Sequence, residues 1–208
     1  MSSVRRDGVK REFRHGTRGE SAARCIGPIT KGCDVFGLTK GDFSMIDTLR
    51  HVAREIGPCH VDVGTWTAAA AEIKQAFDML SDGNILTARF LVDRSFPQRQ
   101  PKYYDALRSR FGVDCVRMAR FHAKFLLLEN SRFSVAVRTS MNLNLNERIE
   151  FYELSEGTPI SGYLKRVTDY HFALPLEDSY AGFKDFKIDA PVGSSVKAPE
   201  PARIGGWD

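Results

Sequence analysis

Five polar residues between positions 122 and 150 are of the types that phosphodiester cleavage requires: His122, Lys124, Ser140, Asn142 and Glu150. A neutral imidazole can attack phosphorus and form a covalent phosphoramidate, which divides a difficult displacement into two steps. An ammonium, a hydroxyl and an amide can each stabilise the phosphoryl oxygens. A carboxylate can accept a hydrogen bond from the far ring nitrogen of His122 and so set its tautomer. These residue types therefore predict a site that handles phosphate.

Three apolar runs predict the strands that would bring these residues together. The first, Phe125–Leu128, directly follows His122-Ala-Lys124, and a strand through this segment would point positions 122 and 124 to the same side. The second run spans 133–139 and the third spans 148–154. We expect the three strands to be neighbours that place the polar residues at a common edge of a sheet.

The rest of the chain predicts alternating helices and strands. Helices are predicted from about 43 to 56, from a cap at Thr67 through Leu80, over 102–111, and from Thr158-Pro159 through Leu174; strands are predicted over 59–64, 85–92 and 114–120. A short strand and a loop are expected between 24 and 43. This order of elements indicates an α/β sandwich with a mixed sheet. The 208 residues, 42% of them hydrophobic, fit one globular domain.

A family resemblance rests on residues 121–154. The pattern His122-x-Lys124-x₄-Glu129, then Thr139-Ser140-x-Asn142, then a downstream acid resembles the HKD motif of the phospholipase D superfamily, which is H-x-K-x₄-D, G-S-x-N and a later Glu. The segment RTSMNLN followed by RIEFYEL is also similar to phospholipase D-like proteins of phages and prophages. The resemblance implies a phospholipase D-like α/β sandwich, with a central mixed sheet flanked by helices. It further implies a metal-independent phosphodiesterase with a phosphohistidine at His122 and no cofactor.

The same resemblance implies a homodimer. In the family, two HKD motifs meet at one site, where one histidine is the nucleophile and the other is the general acid. Only His122, of the five histidines in this chain, has a lysine two residues later. The second half of the site is therefore expected to come from a second copy, with the site on the two-fold axis.

Two positions depart from the family pattern. Glu129 stands in place of Asp, whose role is mainly to hold local backbone, and Thr139 stands in place of Gly, which removes backbone freedom and could narrow the phosphate pocket. The acid that orients His122 has three candidates. Glu150 is chosen because Glu147 falls in a loop and Glu153 would point to the opposite face of the strand.

The net charge of +4 is concentrated at the start of the chain. Residues 1–18 hold six Lys and Arg against Asp7 and Glu12, while the charges of the remaining residues balance. Residues 1–22 are predicted as a basic, flexible arm that either reaches a polyanion such as nucleic acid or is simply solvated. Residues 23–186 are expected to form the phospholipase D-like domain. Residues 187–208, rich in Pro and Gly, are expected to form a flexible tail.

Residues 93–102 mix cations with aromatic residues in a segment broken by Pro97 and Pro101. This combination suits unpaired nucleic acid. The alternative is a solvated loop that leads into a helix, in which Tyr104, Leu107 and Phe111 pack into the core. The spacing demands no ligand and favours this alternative.

Cysteine use and hydropathy point to an intracellular setting. The four cysteines are widely spread and lack zinc-ligand spacing, so reduced structural thiols are expected, with no metal site. No run approaches the roughly 18 apolar residues of a membrane span, and the basic start lacks the apolar segment of a secretory signal. A cytoplasmic location and no membrane contact are therefore predicted.

Three functions remain open on these observations. The first is a homodimeric, metal-independent nuclease whose expected substrate is DNA, with RNA as the alternative. The second is a non-catalytic nucleic-acid-binding protein of phage or mobile-element origin, in which the departures at Glu129 and Thr139 mark lost activity. The third is a phospholipid phosphodiesterase. It ranks last because the predicted helices use their apolar faces for the core and leave none for a membrane.

Overall fold

The structure is a computed structural model that describes residues 11–15, 21–66, 68–143 and 148–176. The strands in this part of the chain are β1 Glu12–His15, β2 Asp34–Thr39, β3 Cys59–Thr65, β4 Ile85–Asp93, β5 Val116–Ala119, β6 Phe125–Glu129, β7 Ser134–Thr139 and β8 Glu150–Glu156. The helices are α1 Ala22–Ile26, α2 Met45–Ile56, α3 Ala70–Ser81, α4 Phe96–Arg99, α5 Pro101–Phe111 and α6 Pro159–Ala173, with a 3₁₀ turn at Val113–Cys115.

The eight strands form one sheet in the order β1-β2-β8-β7-β6-β3-β4-β5. β1 is parallel to β2, and β3, β4 and β5 are parallel to one another, whereas β2, β8, β7, β6 and β3 pair antiparallel in turn. The predicted α/β architecture, a mixed sheet flanked by helices, is confirmed. Strands 6, 7 and 8 are neighbours, as expected for the three runs that carry the polar residues.

Two apolar clusters lie on the two faces of the sheet. The larger cluster joins β-strand residues such as Leu126 and Val137 to helices α1, α2, α3 and α5. The smaller cluster joins the alternate strand residues, such as Phe125 and Leu127, to Leu164 of α6. Because β6 is covered on both faces, its sequence is an uninterrupted apolar run rather than an alternating one.

Helix α2 shows why the sequence signals work where they are strong. Ser44 and Asp47 form a reciprocal capping box, and this satisfies backbone N–H groups in the first turn. Gly57, with a φ of 83°, ends the helix, and Pro58 after it cannot continue the helix. The apolar stripe between these ends is buried against the sheet.

Several boundaries differ from the predictions. Glu12–His15, within the predicted flexible arm, form the edge strand β1, and α1 lies in a stretch expected to hold only a strand and a loop. The predicted loop 93–102 contains α4 and the first residues of α5. These elements are short, and Phe13 of β1 is 78% exposed, so they leave no periodic burial signal in the sequence.

Other differences concern the ends of predicted elements. The strand expected over 114–120 is a 3₁₀ turn followed by the four residues of β5. Helix α3 begins at Ala70, and Thr67, its predicted cap, lies outside the described residues. Glu147, residues 1–10 and the predicted tail 187–208 also lie outside them.

Because of the strand directions, many of the connecting loops lie at one end of the sheet. The carboxyl ends of β2, β3, β4, β5 and β7 and the amino ends of β6 and β8 lie together, as the pairing registers show. We call this the site end, and the opposite end, which includes Cys59, Glu129 and Glu156, the far end. In open α/β sheets, ligands bind outside the carboxyl ends of the parallel strands.

Candidate active site

His122 lies on a short segment that enters β6 at the site end. The backbone N–H of Phe121 donates to Asp93 Oδ2 at 3.1 Å, and the N–H of Thr139 donates to the Lys124 carbonyl at 3.1 Å. These bonds fix the segment on both sides of His122. The residue itself is exposed, so its ring is accessible from solvent.

The predicted strand does not extend through His122 and Lys124, because β6 begins at Phe125. The two side chains nevertheless meet. Lys124 Nζ lies 3.4 Å from His122 Nδ1 and donates to the His122 carbonyl at 3.2 Å. An ammonium has no acceptor, so in this contact Nδ1 accepts and the proton of the neutral ring resides on Nε2.

Ser140 and Glu150 form the second part of the cluster. The Ser140 hydroxyl donates to Glu150 Oε2, and the Phe151 N–H donates to Ser140 Oγ at 3.0 Å. The pKa of Lys124 is lowered by burial, and the negative charge of Glu150 opposes this effect. Glu150 therefore acts electrostatically on Lys124 while it holds Ser140.

The expected hydrogen bond between Glu150 and the His122 ring is not formed in this chain. Among the described residues, Glu150 bonds Ser140, whereas the His122 ring meets Lys124 and Trp66. Glu153 lies on the other face of β8, as predicted, and it pairs there with Arg11 and Arg138.

Thr139, one of the two departures from the family pattern, turns its side chain into the protein. Thr139 is 5% exposed; its hydroxyl donates to the Phe151 carbonyl at 2.6 Å and accepts from the Met141 N–H at 3.0 Å. A side chain held in this way fixes the turn that carries Ser140.

Glu129, the other departure, lies at the far end of β6, four strand residues from Phe125. It accepts from the Ser134 hydroxyl at 2.8 Å and pairs with Lys165 at 3.8 Å. A Glu therefore serves as a local tie between β6, β7 and α6.

Asn142 follows the same turn and is partly exposed. Its Oδ1 is buried without a hydrogen-bond partner among the described residues. The loop that continues from it, at 144–147, lies outside those residues. The structure therefore places Asn142 two residues from Ser140 and records no bond between its side chain and His122, Lys124 or Glu150.

Beside His122 lies a pair of residues, Trp66 and Arg99, that was not predicted as part of the site; we call this pair the wall. The Trp66 ring lies 5.6 Å from the His122 ring, tilted by 55°. The Arg99 guanidinium lies 3.9 Å from the centre of the same indole and donates to the Trp66 carbonyl at 2.9 Å. Arg99 Nε also donates to Ser95 Oγ at 2.9 Å. Arg99 was noted only as one cation of the 93–102 segment.

Asp93 supports this wall from the end of β4. Its Oδ1 accepts from the Ser95 N–H at 2.9 Å and from the Ser95 hydroxyl, while its Oδ2 accepts from Phe121. Burial alone would raise the pKa of Asp93, but these hydrogen bonds and the charge of Arg99 outweigh it and lower the pKa. In the sequence, only the position of Trp66 and Asp93 at the carboxyl ends of β3 and β4 could have indicated that they belong to the site.

Exposed cations surround the cluster. Lys40 follows β2, Arg94 follows β4, Arg120 follows β5 and Arg148 precedes β8, all at the site end. Three apolar residues of helix α5, namely Tyr104, Leu107 and Phe111, are by contrast buried, as the packing alternative predicted.

The chemistry of this donor set is that of an anion site. Ammonium, guanidinium, imidazole and hydroxyl groups gather at one end of the sheet, and they suit the oxygens of a phosphate. Within the part of the chain that the structure describes, no group of three or more His, Cys, Asp or Glu has the arrangement of a metal site. The four cysteines, Cys25, Cys33, Cys59 and Cys115, are free. None of the helices described is long and apolar enough to span a membrane.

Comparisons with known proteins show a likeness among solved structures. No family model matches the chain, and no curated protein matches it. Among solved structures, the chain is similar to the crystal structure of polyphosphate kinase from Porphyromonas gingivalis, with a TM-score of 0.46 and 13% identity over 64% of this chain. The chain spans a quarter of that protein's length, 25%. The functional conclusion therefore depends on the geometry of the cluster.

Proposed function

We propose that this chain is a metal-independent phosphodiesterase of the phospholipase D type, a nuclease that cleaves DNA at a site shared by two copies. The observation that supports it is the gathering of His122, Lys124, Ser140 and Glu150 at one end of the sheet. The exposed imidazole lies 3.4 Å from an ammonium, and the Glu150 carboxylate, which accepts from the Ser140 hydroxyl, acts on the charge of that same ammonium. The HKD-like spacing of these residues supports the same chemistry.

The reaction proceeds in two balanced displacements. The Nε2 lone pair of His122 attacks phosphorus, a P–N bond forms, and the P–O bond to the leaving oxygen breaks. That oxygen takes a proton from the protonated His122 of the second copy. A water molecule then attacks phosphorus and gives a proton to the second copy's histidine, now neutral, while the P–N bond breaks and returns the first His122.

Substrate binding must first change the tautomer of His122. In the free chain Lys124 occupies Nδ1, which leaves the proton on Nε2, the atom that must attack. A phosphate draws the ammonium to its oxygens and frees Nδ1 to carry the proton. Ser140 turns its hydroxyl from Glu150 to the phosphate, and Glu150 then accepts from Nδ1–H. The Asn142 amide donates to the same phosphoryl oxygens.

The proposed second copy rests on the resemblance to the phospholipase D superfamily, in which two HKD motifs meet at one site. Among the histidines of this sequence, only His122 has a lysine two residues later, so the general acid on the leaving side is proposed to come from the His122 of a second copy. The exposure of His122 supports this arrangement, because its ring can face a symmetry-related ring.

Nucleic acid as substrate is supported by the cations at the site end. Lys40, Arg94, Arg120 and Arg148 are exposed around the cluster, where they can meet successive backbone phosphates. Arg11 and Arg14 do not belong to this set, since Arg11 pairs with Asp34 and Glu153 and Arg14 pairs with Glu12. Cleavage and binding should therefore weaken steeply with salt.

The test is cleavage of plasmid and oligonucleotides in excess EDTA, with wild type, His122→Ala and His60→Ala compared and the oligomeric state measured on the same samples. His60 is the matched control, because it is an exposed histidine on β3 that bonds Thr87 at 2.7 Å, away from the site end. We expect a dimer whose chelator-resistant cleavage is lost in His122→Ala and kept in His60→Ala. A ³²P-labelled substrate, trapped by denaturing the protein at alkaline pH, where a phosphohistidine is stable, should label wild type and His60→Ala but not His122→Ala.

Other outcomes assign other functions. A folded wild type that binds DNA but never cleaves it would identify the non-catalytic binding protein. Cleavage that survives His122→Ala would place the active site elsewhere in the chain. Release of headgroups from phospholipid vesicles without DNA cleavage would identify the phospholipid phosphodiesterase.

A further inference from the structure

The proposed reaction demands more control of the His122 ring than its closest polar contact supplies. His122 is exposed, and Lys124 touches one ring atom and the residue's own carbonyl. A contact to one atom fixes a distance but leaves the plane of the ring free to rotate. Attack on phosphorus needs the Nε2 lone pair aligned with the bond that breaks. Another group must therefore set the plane.

Trp66 is the group whose ring packs against the His122 ring. The two ring centres are 5.6 Å apart at 55°, within the range of favourable aromatic pairs. Trp66 is itself held twice by Arg99, through the guanidinium 3.9 Å from the indole centre and through the bond to the Trp66 carbonyl. A tryptophan fixed in this way presents a rigid surface to the imidazole.

Asp93 joins this surface to the backbone that carries His122. One carboxylate oxygen receives the Phe121 N–H at 3.1 Å, and the other receives Ser95, whose hydroxyl in turn receives Arg99 Nε at 2.9 Å. The hydrogen bonds that lower the pKa of Asp93 keep it ionised at neutral pH, so that it can accept from all its donors. The main chain before His122 and the wall beside its ring are thus held by one side chain.

We propose that Trp66, Arg99 and Asp93 form a positioning unit that sets the orientation of the His122 imidazole for attack on phosphorus. This proposal rests on the proposed function. None of the three residues contacts the phosphate in it, so their effect is transmitted through His122. The unit draws its parts from the ends of β3 and β4 and from α4, which places it on rigid elements.

The kinetic test compares Trp66→Ala, Trp66→Phe and Asp93→Asn in single-turnover cleavage in EDTA, with substrate binding measured separately. Arg99→Met is matched to Arg110→Met, because Arg110 lies 5.4 Å over Phe77 in a similar contact on α5. A misplaced reacting group costs about 10²-fold in rate, so we expect Trp66→Ala to slow cleavage by that order with an unchanged dissociation constant. Trp66→Phe should restore most of the rate, and Arg110→Met should not alter it.

Two kinetic results would overturn the proposal. One is an unchanged cleavage rate in folded Trp66→Ala. The other is weaker binding with an unchanged rate, which would make Trp66 a surface on which a base of the substrate stacks.

A second measurement does not depend on catalysis. The ring current of Trp66 should displace the ring C–H resonances of His122 in the NMR spectrum of the free protein, with His122→Ala used for assignment. We expect this displacement to be lost in Trp66→Ala and reduced in Asp93→Asn and Arg99→Met, but kept in Arg110→Met. If His122 shows no displacement in wild type, the positioning unit is wrong. If the displacement is present and wild type cleaves nothing in EDTA, the proposed function fails instead.

Discussion

The two ends of the sheet use similar polar residues in opposite ways. At the far end, Glu156 is 3% exposed and accepts from Lys31 Nζ at 3.0 Å and from the Gly32 N–H at 2.6 Å. Asn130, in the turn after β6, bonds four backbone groups with its amide, namely those of Ile56, Pro58, Arg132 and Phe133. These side chains are saturated by the protein itself.

At the site end, the polar groups are held loosely or by each other. His122 is exposed and the Lys124 ammonium lies 3.4 Å from its ring, while Asn142 Oδ1 has no partner among the described residues. The difference is that the far end engages its polar side chains within the fold, whereas the site end leaves the His122 ring exposed to solvent. Under the proposed function, this ring and the Lys124 ammonium are the groups that meet the phosphate.

The largest effect is expected for a matched pair of lysines. Lys124→Met should lower the rate of cleavage in EDTA by about 10²- to 10³-fold, because the phosphoryl oxygens lose their closest charge. Lys31→Met should leave cleavage unchanged and lower the free energy of unfolding by at most about 1 kcal/mol, because the buried Glu156 carboxylate loses an exposed cation. Single-turnover kinetics and urea unfolding measure the two effects. A similar loss of activity in both variants would remove the distinction between the ends.

The next effect concerns two carboxylates. Glu156→Gln should lower the free energy of unfolding by about 2 kcal/mol, because the bonds from Gly32 and Lys31 lose their charged acceptor. Glu150→Gln should change stability by less than about 0.5 kcal/mol, since it is partly exposed. In a double-mutant cycle, Glu156→Gln and Lys31→Met should be non-additive. Additivity would show that the carboxylate and the lysine act independently.

A smaller effect is expected in the pH profile. Burial lowers the pKa of Lys124 and the charge of Glu150 raises it, so kcat/KM should fall as pH rises through a pKa below 10.5 and the ammonium is lost. Glu150→Gln removes the charge that raises this pKa, and the alkaline limb should move to lower pH. Glu153→Gln, on the opposite face of β8, is the control and should leave the limb in place. A limb that moves to higher pH would contradict the assigned sign.

The smallest effect tests how closed the far end is. Burial raises the pKa of Cys59, at the start of β3, to about 11, so only about one thiol in a thousand is ionised at pH 8. Cys33 is also at the far end and is partly exposed. Alkylation of the native protein, followed by mass spectrometry, should modify Cys33 well before Cys59. Equal rates would indicate that the far end opens readily.

The sequence predicted the parts of the fold that depend on strong local signals. Helix α2 carries its own cap at Ser44, its own stop at Gly57-Pro58 and an apolar stripe between them, so its bounds were close to those predicted. His122 and Lys124 were expected on one side of the chain because of their two-residue separation, and their side chains do meet, although the strand expected through them begins only at Phe125. The choice of Glu150 over Glu153 followed from the same alternation.

The remainder depends on contacts between distant segments. β1 exists because its backbone pairs with β2, and nothing in Glu12–His15 itself requires a strand. Trp66, Arg99 and His122 come from three separate segments, namely the end of β3, helix α4 and the segment before β6, and no spacing links them. The hydrogen-bond partner of Glu150 was also not predicted. The sequence pattern places both Ser140 and His122 near Glu150, and only the geometry of the turn at Thr139 favours the serine.

Strand β1 has a further consequence for handling the protein. It covers the outer edge of β2, where Phe13 and Phe36 lie edge to face with ring centres 6.2 Å apart. Both outermost strands of the sheet, β1 and β5, have four residues, and such short edges discourage sheet-to-sheet association. A chain that lacks residues 1–15 would expose the six residues of β2, which include Phe36 and the partly exposed Leu38, as an unpaired edge of the sheet. Such a chain should aggregate through strand pairing, so the short strand at the start of the sheet acts as a guard against self-association.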